Sequence, residues 1–312
     1  MASLLPAWRF TVASTGASSA PLIVQSMTRK LFLALLLAGG GWLQAAAAAE
    51  VRVVSQTVGT DEMLLAVAAP EQIAALSHLS RDPVFSGVAQ AAAAYPAIGF
   101  GDAETILRFR PTLVLLSDYS RAELVEQVRR SGVQVIVFKN YQTLEDAYAN
   151  LRLLADALGD AAAHERAEAV IADCRTRMEN LRRRLQGVNP VRVVAPSTYG
   201  VIAGAETTFQ DICEQAGAEN LAATLGHLKG HAVPPSEAML KWPVDKLVID
   251  GANVATALEP YLKLPPYAFM ESVRERRVAL IDTWAFSCIT HLRIHAYEQL
   301  ARQLHPERFQ QD

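Results

Sequence analysis

Short apolar runs alternate with helical patterns along most of this chain. Runs of branched apolar residues predict buried strands at 51–54, 73–76, 113–116 and 133–137. Between them the spacing of apolar residues predicts helices around 61–69, 102–109 and 120–131. Strand, helix and strand in this rhythm indicate an α/β lobe with a mainly parallel sheet.

A long helical stretch separates this lobe from a second one. The stretch opens at Thr143, pauses at Gly159-Asp160 and resumes to about Leu185, and Gly187 and Pro190 then end it. The strand rhythm restarts after this break, with strands at 191–195, 247–250 and 278–282 and helices at 209–216 and 290–304. We therefore predict an α/β fold of two Rossmann-like lobes with mainly parallel sheets, joined by one long backbone helix. The predicted parts are an N-terminal extension with a signal peptide at 1–49, an N-terminal α/β lobe at 50–142, a helical segment with the interlobe helix at 143–187, and a C-terminal α/β lobe at 188–312.

One phrase occurs twice. Residues 104–111 (ETILRFRP) return as residues 237–243 (EAMLKWP), 133 residues later, and each copy leads into an apolar run. A period this long exceeds that of a solenoid repeat and indicates two lobes of similar build. Two lobes form a cleft, and clefts between domains are where small ligands usually bind.

The N-terminal region has the pattern of an export signal. A basic start at Met27-Thr-Arg-Lys precedes the apolar run 31–38, and alanines 45–49 supply small residues for cleavage. The run is too short, and too broken by glycines 39–41, for a membrane span. We expect residues 1–26 to precede the true start. Since no cysteine lies near the cleavage zone, we expect a soluble, periplasmic protein released from a cleavable signal.

Net charge and cysteine count restrict the classes of possible partner. The chain has 29 bases and 32 acids, and the leader holds three of the bases, so the mature part has 26 bases and a net charge of −6. This balance argues against nucleic acid as a partner. Three cysteines, 174, 213 and 288, leave at least one thiol free. We expect a monomer with no intrinsic cofactor.

Four predicted strand ends carry residues suited to a ligand. In parallel α/β lobes, ligands meet the loops beyond the carboxyl ends of the strands. Aromatic residues at such lips suit a large flat or amphipathic ligand, although they also cap sheets. The candidate ligand-binding residues are His78, Arg81, Tyr119, Tyr199 and Trp284. His78 could ligate a metal centre, meet a carboxylate or form a plain hydrogen bond.

Two histidine pairs raise the alternative of a bare-metal receptor. His291 and His295 are four residues apart on a predicted helix, and His227 and His231 have the same spacing in a glycine-containing loop. Neither pair contains the glutamate of an HExxH motif. For a zinc or manganese receptor the best available ligands are His78, His231 and Asp282.

An α/β enzyme is a weaker alternative. The chain has no GxSxG elbow, no Walker A loop and no GxGxxG after the first strand. The isolated glycines at 99, 101, 200 and 204 are more typical of turns than of phosphate-binding loops. We predict that the protein is not an enzyme.

The chain resembles the helical-backbone class of periplasmic binding proteins over residues 51–309. The resemblance is carried by VRVVSQTVGTDEMLL at 51–65, DAETILRFRPTLVLL at 102–116, DICEQAGAENLAA at 211–223 and AYEQLARQLHPERF at 296–309. This class delivers cobalamin, haem and ferric siderophores to ATP-driven importers. The resemblance therefore implies a metal chelate in the interlobe cleft and an ABC permease dimer as the partner.

The resemblance also gives the repeated glutamates a role. In this class one glutamate on each lobe, at the positions of Glu104 and Glu237, pairs with arginines on one of the two permease subunits. The chemistry fits, because two separated exposed carboxylates suit a two-fold partner. The alternative is that each glutamate only stabilises the first turn of a helix. Among the chelates, the loops do not separate cobalamin from a ferric siderophore, and haem has only His78, Tyr119 and Tyr199 as axial ligands at the lips.

Overall fold

The structure is a computed structural model that describes residues 51–99 and 101–310. The predicted signal peptide at 1–49 lies outside the described residues. The strands are β1 Val53–Ser55, β2 Ile73–Ser77, β3 Ala97–Ile98, β4 Leu113–Ser117, β5 Gln134–Phe138, β6 Val191–Val194, β7 Ile202–Ala203, β8 Ala218–Asn220, β9 His231–Ala232, β10 Lys246–Asp250 and β11 Val278–Ile281. The helices are α1 Val58–Val67, α2 Ala89–Ala92, α3 Ala103–Leu107, α4 Ala122–Arg130, α5 Leu144–Leu158, α6 Ala161–Arg184, α7 Thr208–Ala216, α8 Leu221–Thr224, α9 Ser236–Met239, α10 Val254–Leu258, α11 Glu271–Arg274, α12 Thr283–Phe286 and α13 Ile294–Leu304. Short 3₁₀ turns include His78–Arg81 and His291–Arg293.

The first lobe has a parallel sheet in the order β3-β2-β1-β4-β5. The strand order reverses between β1 and β4, and this is the topological switch point at which doubly wound sheets bind ligands. Leu113–Ser117 is buried at every position, as expected for a central strand covered on both faces. The predicted α/β lobe with a parallel sheet is confirmed.

The second lobe repeats this plan with a smaller parallel sheet, in the order β11-β10-β6-β8. Here β6 corresponds to β1 and β10 to β4, so the equivalent switch point lies between β6 and β10. A short antiparallel pair, β7 and β9, extends the lobe. The sequence reasoning missed this pair and also β3 and β8, because strands of two or three residues leave no period to detect.

The predicted element boundaries were correct to within a few residues. The first helix begins at Val58 rather than at 61, because Thr57 and Thr60 form a capping box at its start. The predicted pause in the long helical stretch is a real break. Gly159 ends α5 in the left-handed conformation, and Asp160 caps α6 by accepting a hydrogen bond from the Ala163 amide.

Helix α6 is the long interlobe helix. Its buried side chains recur every three or four residues and form one stripe, comprising Ala163, Ala167, Ile171, Cys174, Met178 and Leu181. Along its length α6 contacts α1 of the first lobe, the preceding helix α5, and α7 and α13 of the second lobe. One hydrophobic cluster therefore runs through both lobes along this helix. The outer faces of the two sheets have smaller clusters of their own. The edges assigned to the two lobes, 142 and 188, stay predictions.

Two further features complete the description of the fold. Among the described residues, no helix combines the length and the apolar character needed to cross a membrane. Cys174, Cys213 and Cys288 are all buried free thiols, and burial raises the pKa of Cys174 to about 11.

Candidate functional site

The strand-end loops of the two lobes meet at residues 282–293. A Cβ atom at Gly87 would lie 2.7 Å from the Trp284 ring, and one at Gly59 would lie 2.8 Å from the Ile289 side chain. Glycine at these two positions thus allows the first lobe to approach the second closely. Because ligands bind beyond the carboxyl ends of parallel strands, the cleft beside this junction is the candidate site.

A buried glutamate links the two lobes at the junction. Glu62, in the first lobe, is 3% exposed and accepts a hydrogen bond of 2.7 Å from the Thr290 hydroxyl of the second. The Cys288 thiol lies 3.6 Å from the same oxygen, and the Gly87 amide also donates to this carboxylate. Burial raises the pKa of Glu62 to about 7, and these hydrogen bonds oppose the shift only in part.

Asp61, the residue before Glu62, holds the loop that carries two of the candidate ligand-binding residues. Asp61 is fully buried and accepts hydrogen bonds from the Ser77 amide, at 2.8 Å, and from the Ser80 hydroxyl. These bonds fix the 3₁₀ turn that carries His78 and Arg81. Burial raises the pKa of Asp61 well above its ordinary value, while the hydrogen bonds from Ser80 and Ser77 lower it in part.

A buried arginine forms the second link between the lobes. Arg293 has no exposed surface, and its guanidinium donates to the Gln142 carbonyl at 2.6 Å and to the Asp211 carboxylate at 3.0 Å. It also donates to the carbonyls of Tyr141 and Cys288. The Tyr297 hydroxyl donates to the same Asp211 oxygen. A buried guanidinium that donates four hydrogen bonds in this way fixes the geometry of the segments that it contacts.

Tyr119 lies at the switch point of the first sheet. A tight turn after β4, closed by the Ser120 amide donating to the Ser117 carbonyl, leaves the Tyr119 side chain 57% exposed. Its ring makes an edge-to-face contact with Tyr141, with centroids 6.2 Å apart. The Tyr141 hydroxyl donates to Asp118 at 2.8 Å, and burial followed by this hydrogen bond raises the pKa of Tyr141 to about 12. Sequence reasoning missed Tyr141, although its place just beyond β5 was the available signal.

His78 and Arg81 share the turn that follows β2. His78 is half-buried, and Arg81 is exposed with its guanidinium donating to the Tyr95 carbonyl. The same loop exposes Leu79, Val84 and Phe85, an apolar lip that sequence reasoning also missed. These three exposed apolar side chains lie within seven residues of one another.

The second lobe contributes Tyr199 and Trp284. Tyr199 follows β6, at the switch point of the second sheet, and is 92% exposed. Trp284 is half-buried at the lobe junction, where its ring also stacks on His295 at a centroid distance of 5.0 Å. Both tyrosines are therefore open to solvent, whereas much of the Trp284 ring contacts protein. The assignment of these residues to a ligand stays a prediction.

His295 and Asp282 have protein partners. His295 lies 3.0 Å from one Asp282 oxygen, and the Gln299 amide donates to the other. His291 is buried, and burial lowers its pKa to about 4. Within residues 51–99 and 101–310, no group of three His, Cys, Asp or Glu side chains is placed to hold a metal ion.

Glu104 and Glu237 are exposed on α3 and α9. Each lies in the first turn of its helix, and two residues later Ile106 and Met239 are fully buried against their sheets. Two surface depressions lie away from the strand ends. One of about 160 Å³ is lined by α6 and α13 residues, and one of about 220 Å³ is lined by residues that include Leu240 and Trp242.

Two parallel α/β lobes with a helix between them and facing strand ends define a binding protein of the helical-backbone class. A periplasmic binding protein family model matches residues 53–284. The chain belongs to this family.

The relatives agree with this assignment. The chain is 20% identical over 217 residues to the uncharacterized ABC transporter substrate-binding lipoprotein YvrC of Bacillus subtilis, a match that covers 67% of this chain and 66%, just under two thirds, of that relative. The fold of this chain is similar to that of the periplasmic heme-binding protein RhuT from Roseiflexus sp. RS-1. The TM-score is 0.71 at 22% identity, and the match covers 83% of this chain and 99% of RhuT. The periplasmic heme-binding protein HutB of Vibrio cholerae gives a TM-score of 0.69, 20% identity, and coverage of 82% and 100%.

Proposed function

We propose that this chain is the exported binding protein of an ABC importer, which binds a metal chelate in the interlobe cleft and delivers it to the permease. The chelate is a cobalamin, a ferric siderophore or haem. The observation that carries this proposal is that a solvent-exposed tyrosine stands at the switch point of each sheet, Tyr119 in one lobe and Tyr199 in the other. The proposed role is binding and delivery by a monomer, without catalysis.

The chemistry of the lips supports a chelate. Tyrosine rings offer apolar faces to a flat ligand while their hydroxyls keep a polar handle. His78 and Arg81 add an imidazole and a cation, which suit a metal centre or the carboxylates of a chelate. The apolar lip at Leu79, Val84 and Phe85 adds area for an amphipathic ligand. Asp282, one of the three ligands that a bare zinc or manganese receptor would use, has both its oxygens engaged by protein groups.

Haem is the first chelate to test, because the structural neighbours RhuT and HutB are both named as heme-binding proteins. The purified mature chain is titrated with haemin, cyanocobalamin and a ferric hydroxamate siderophore while its visible spectrum is recorded. We expect one of these to saturate at a single site. If none binds and zinc or manganese does, the chelate proposal is wrong.

Variants locate the site. The double variant Tyr119→Ala/Tyr199→Ala should weaken binding of the chelate that saturates. Phe269→Ala is the matched control, because Phe269 is 63% exposed on the second lobe but lies outside the strand-end loops. Equal affinity in both variants would remove the tyrosines from the site.

Delivery to the permease is proposed to depend on Glu104 and Glu237. The variant Glu104→Ala/Glu237→Ala should keep chelate binding and lose uptake by the native host. Glu123→Ala is the control, because this glutamate is also exposed in the first turn of a helix and its replacement loses the same interaction with the helix dipole. Unimpaired uptake by the first variant would refute the docking role.

A further inference from the structure

The turn that carries the exposed Tyr119 is held by the segments on both sides of it. The Ser120 hydroxyl donates to the Gln56 side chain, just beyond β1, at 2.8 Å. The Asp118 amide donates to the Phe138 carbonyl, at the end of β5, at 2.9 Å. The backbone at Tyr119 is therefore fastened to both neighbours of β4, and what stays to be fixed is the rotation of its side chain.

A second tyrosine lies against this side chain. The Tyr141 ring meets the Tyr119 ring edge to face, with an interplanar angle of 81°. The Tyr141 hydroxyl donates to the Asp118 carboxylate at 2.8 Å, so the residue before Tyr119 fixes the ring that Tyr119 contacts. Burial and then this hydrogen bond raise the pKa of Tyr141 to about 12. The hydroxyl therefore stays protonated at neutral pH and keeps donating to Asp118.

The loop that carries Tyr141 is anchored by side chains from elsewhere in the fold. Asn150 of α5 is buried and donates to the Asn140 carbonyl at 2.7 Å. Arg293 of the second lobe donates to the next two carbonyls, those of Tyr141 and Gln142. Three consecutive carbonyls are thus held by two buried side chains. This gives Tyr141 a fixed backbone, to which the second lobe contributes.

We propose that Asp118 and Tyr141 are positioning residues of the ligand site, which hold the Tyr119 ring in the orientation that a chelate meets. This proposal rests on the proposed function. A side chain that is already ordered in the free protein loses no rotational freedom on binding. For one such side chain the advantage corresponds to about three- to tenfold in affinity.

The first experiment measures affinity for haemin, cyanocobalamin and a ferric hydroxamate siderophore by visible absorbance. Tyr141→Phe keeps the ring but removes the hydroxyl, and it should weaken binding of the chelate that saturates about three- to tenfold. Asp118→Ala should do the same. Asp118→Asn should recover most of that loss, because the amide oxygen still accepts a hydrogen bond. Tyr148→Phe is the matched control and should leave the affinity unchanged, since Tyr148 is buried on α5 beneath Arg175 of α6.

Double variants separate positioning from a general effect on the fold. In the Tyr119→Ala background, Tyr141→Phe should weaken binding no further, because the ring that it positions is gone. In the Tyr199→Ala background, the same substitution should keep its full effect. If Tyr141→Phe weakens binding equally in both backgrounds, or does not weaken it in the wild type, the positioning role is wrong while the chelate proposal stands.

A second experiment needs no chelate. The residue 3-fluorotyrosine is incorporated at position 119, and its fluorine resonance is recorded in the free protein. The resonance should differ from that of the urea-unfolded chain, because the Tyr141 ring lies beside it, and Asp118→Ala should move it toward the unfolded value. A resonance that Asp118→Ala leaves in place would overturn the positioning role. If none of the three chelates binds the wild type, the proposed function is wrong and the positioning role falls with it.

Discussion

Replacement of Glu62 by glutamine should make the stability of this protein less dependent on pH. The carboxyl is 3% exposed at the junction of the lobes, and its pKa rises from 4.5 to about 7 because burial disfavours the charged form. The folded protein therefore keeps this proton to a higher pH than the unfolded chain does. Stability from this group is fully present below pH 4.5, declines as the pH rises, and is lost above about 7.

The size of the effect follows from the shift. A shift from 4.5 to about 7 corresponds to about 3 kcal/mol of unfolding free energy, at about 1.4 kcal/mol for each pKa unit. Glutamine has nearly the shape of the protonated acid and keeps an acceptor for the Thr290 hydroxyl. We therefore expect Glu62→Gln to match the wild type near pH 4.5 and to be about 3 kcal/mol more stable relative to it at pH 8.

Urea unfolding followed by circular dichroism at pH 4.5 and pH 8 measures the difference. Some pH dependence should remain in the variant, because Asp61 beside it also has a raised pKa. Cys288 faces Glu62 as well, but burial and the Glu62 charge raise its pKa far above this range. Glu179→Gln, at an exposed site on α6, is the control and should change stability equally at both pH values. If Glu62→Gln also changed the stability equally at both pH values, the raised pKa of Glu62 would be refuted.

Three further predictions concern the junction and the cleft. Arg293→Met should lower the unfolding free energy by about 3–5 kcal/mol, since it leaves the Asp211 carboxylate buried without its cation, and adding Asp211→Asn should restore part of the loss in the same urea titration. Gly87→Ala should destabilise the protein by about 1–3 kcal/mol, because the added methyl group overlaps the Trp284 ring; an unchanged melting temperature would contradict the close contact. Tyr119→Ala alone should weaken chelate binding about tenfold in an absorbance titration, while equal affinity would place the ligand elsewhere.

The lobes could be predicted from the sequence because their strands are buried on both faces. Continuous apolar runs such as 113–116 mark such strands clearly, and the break at Gly159-Asp160 was readable because glycine and aspartate have distinct roles at helix ends. The short strands β3, β7, β8 and β9 could not be found this way. Their pairing depends on contacts with distant segments, which a local pattern does not contain.

The junction was hidden for a related reason. Glu62 and Arg293 are 231 residues apart in sequence, and each has the appearance of an ordinary surface charge of a helix. Their burial becomes visible only when β11 brings residues 282–293 against the strand-end loops of the first lobe. In the sequence, TDEMLL at 60–65 contributed only to a family resemblance. In the structure, Asp61 holds the turn that carries His78 and Arg81, and Glu62 accepts a hydrogen bond from Thr290 of the second lobe.

The internal repeat separates what the two lobes share from what distinguishes them. The strand register recurs, because Leu113 pairs with Val53 and Lys246 pairs with Val193, and an exposed glutamate lies nine residues before Leu113 and nine before Lys246. The strand-end loops do not recur: one lobe presents Tyr119 against Tyr141, and the other presents Tyr199 alone. A ligand held between unlike loops makes different contacts with each lobe. Ligand specificity and the proposed permease docking are therefore expected to vary independently, so that cleft variants change affinity and variants at Glu104 and Glu237 change delivery.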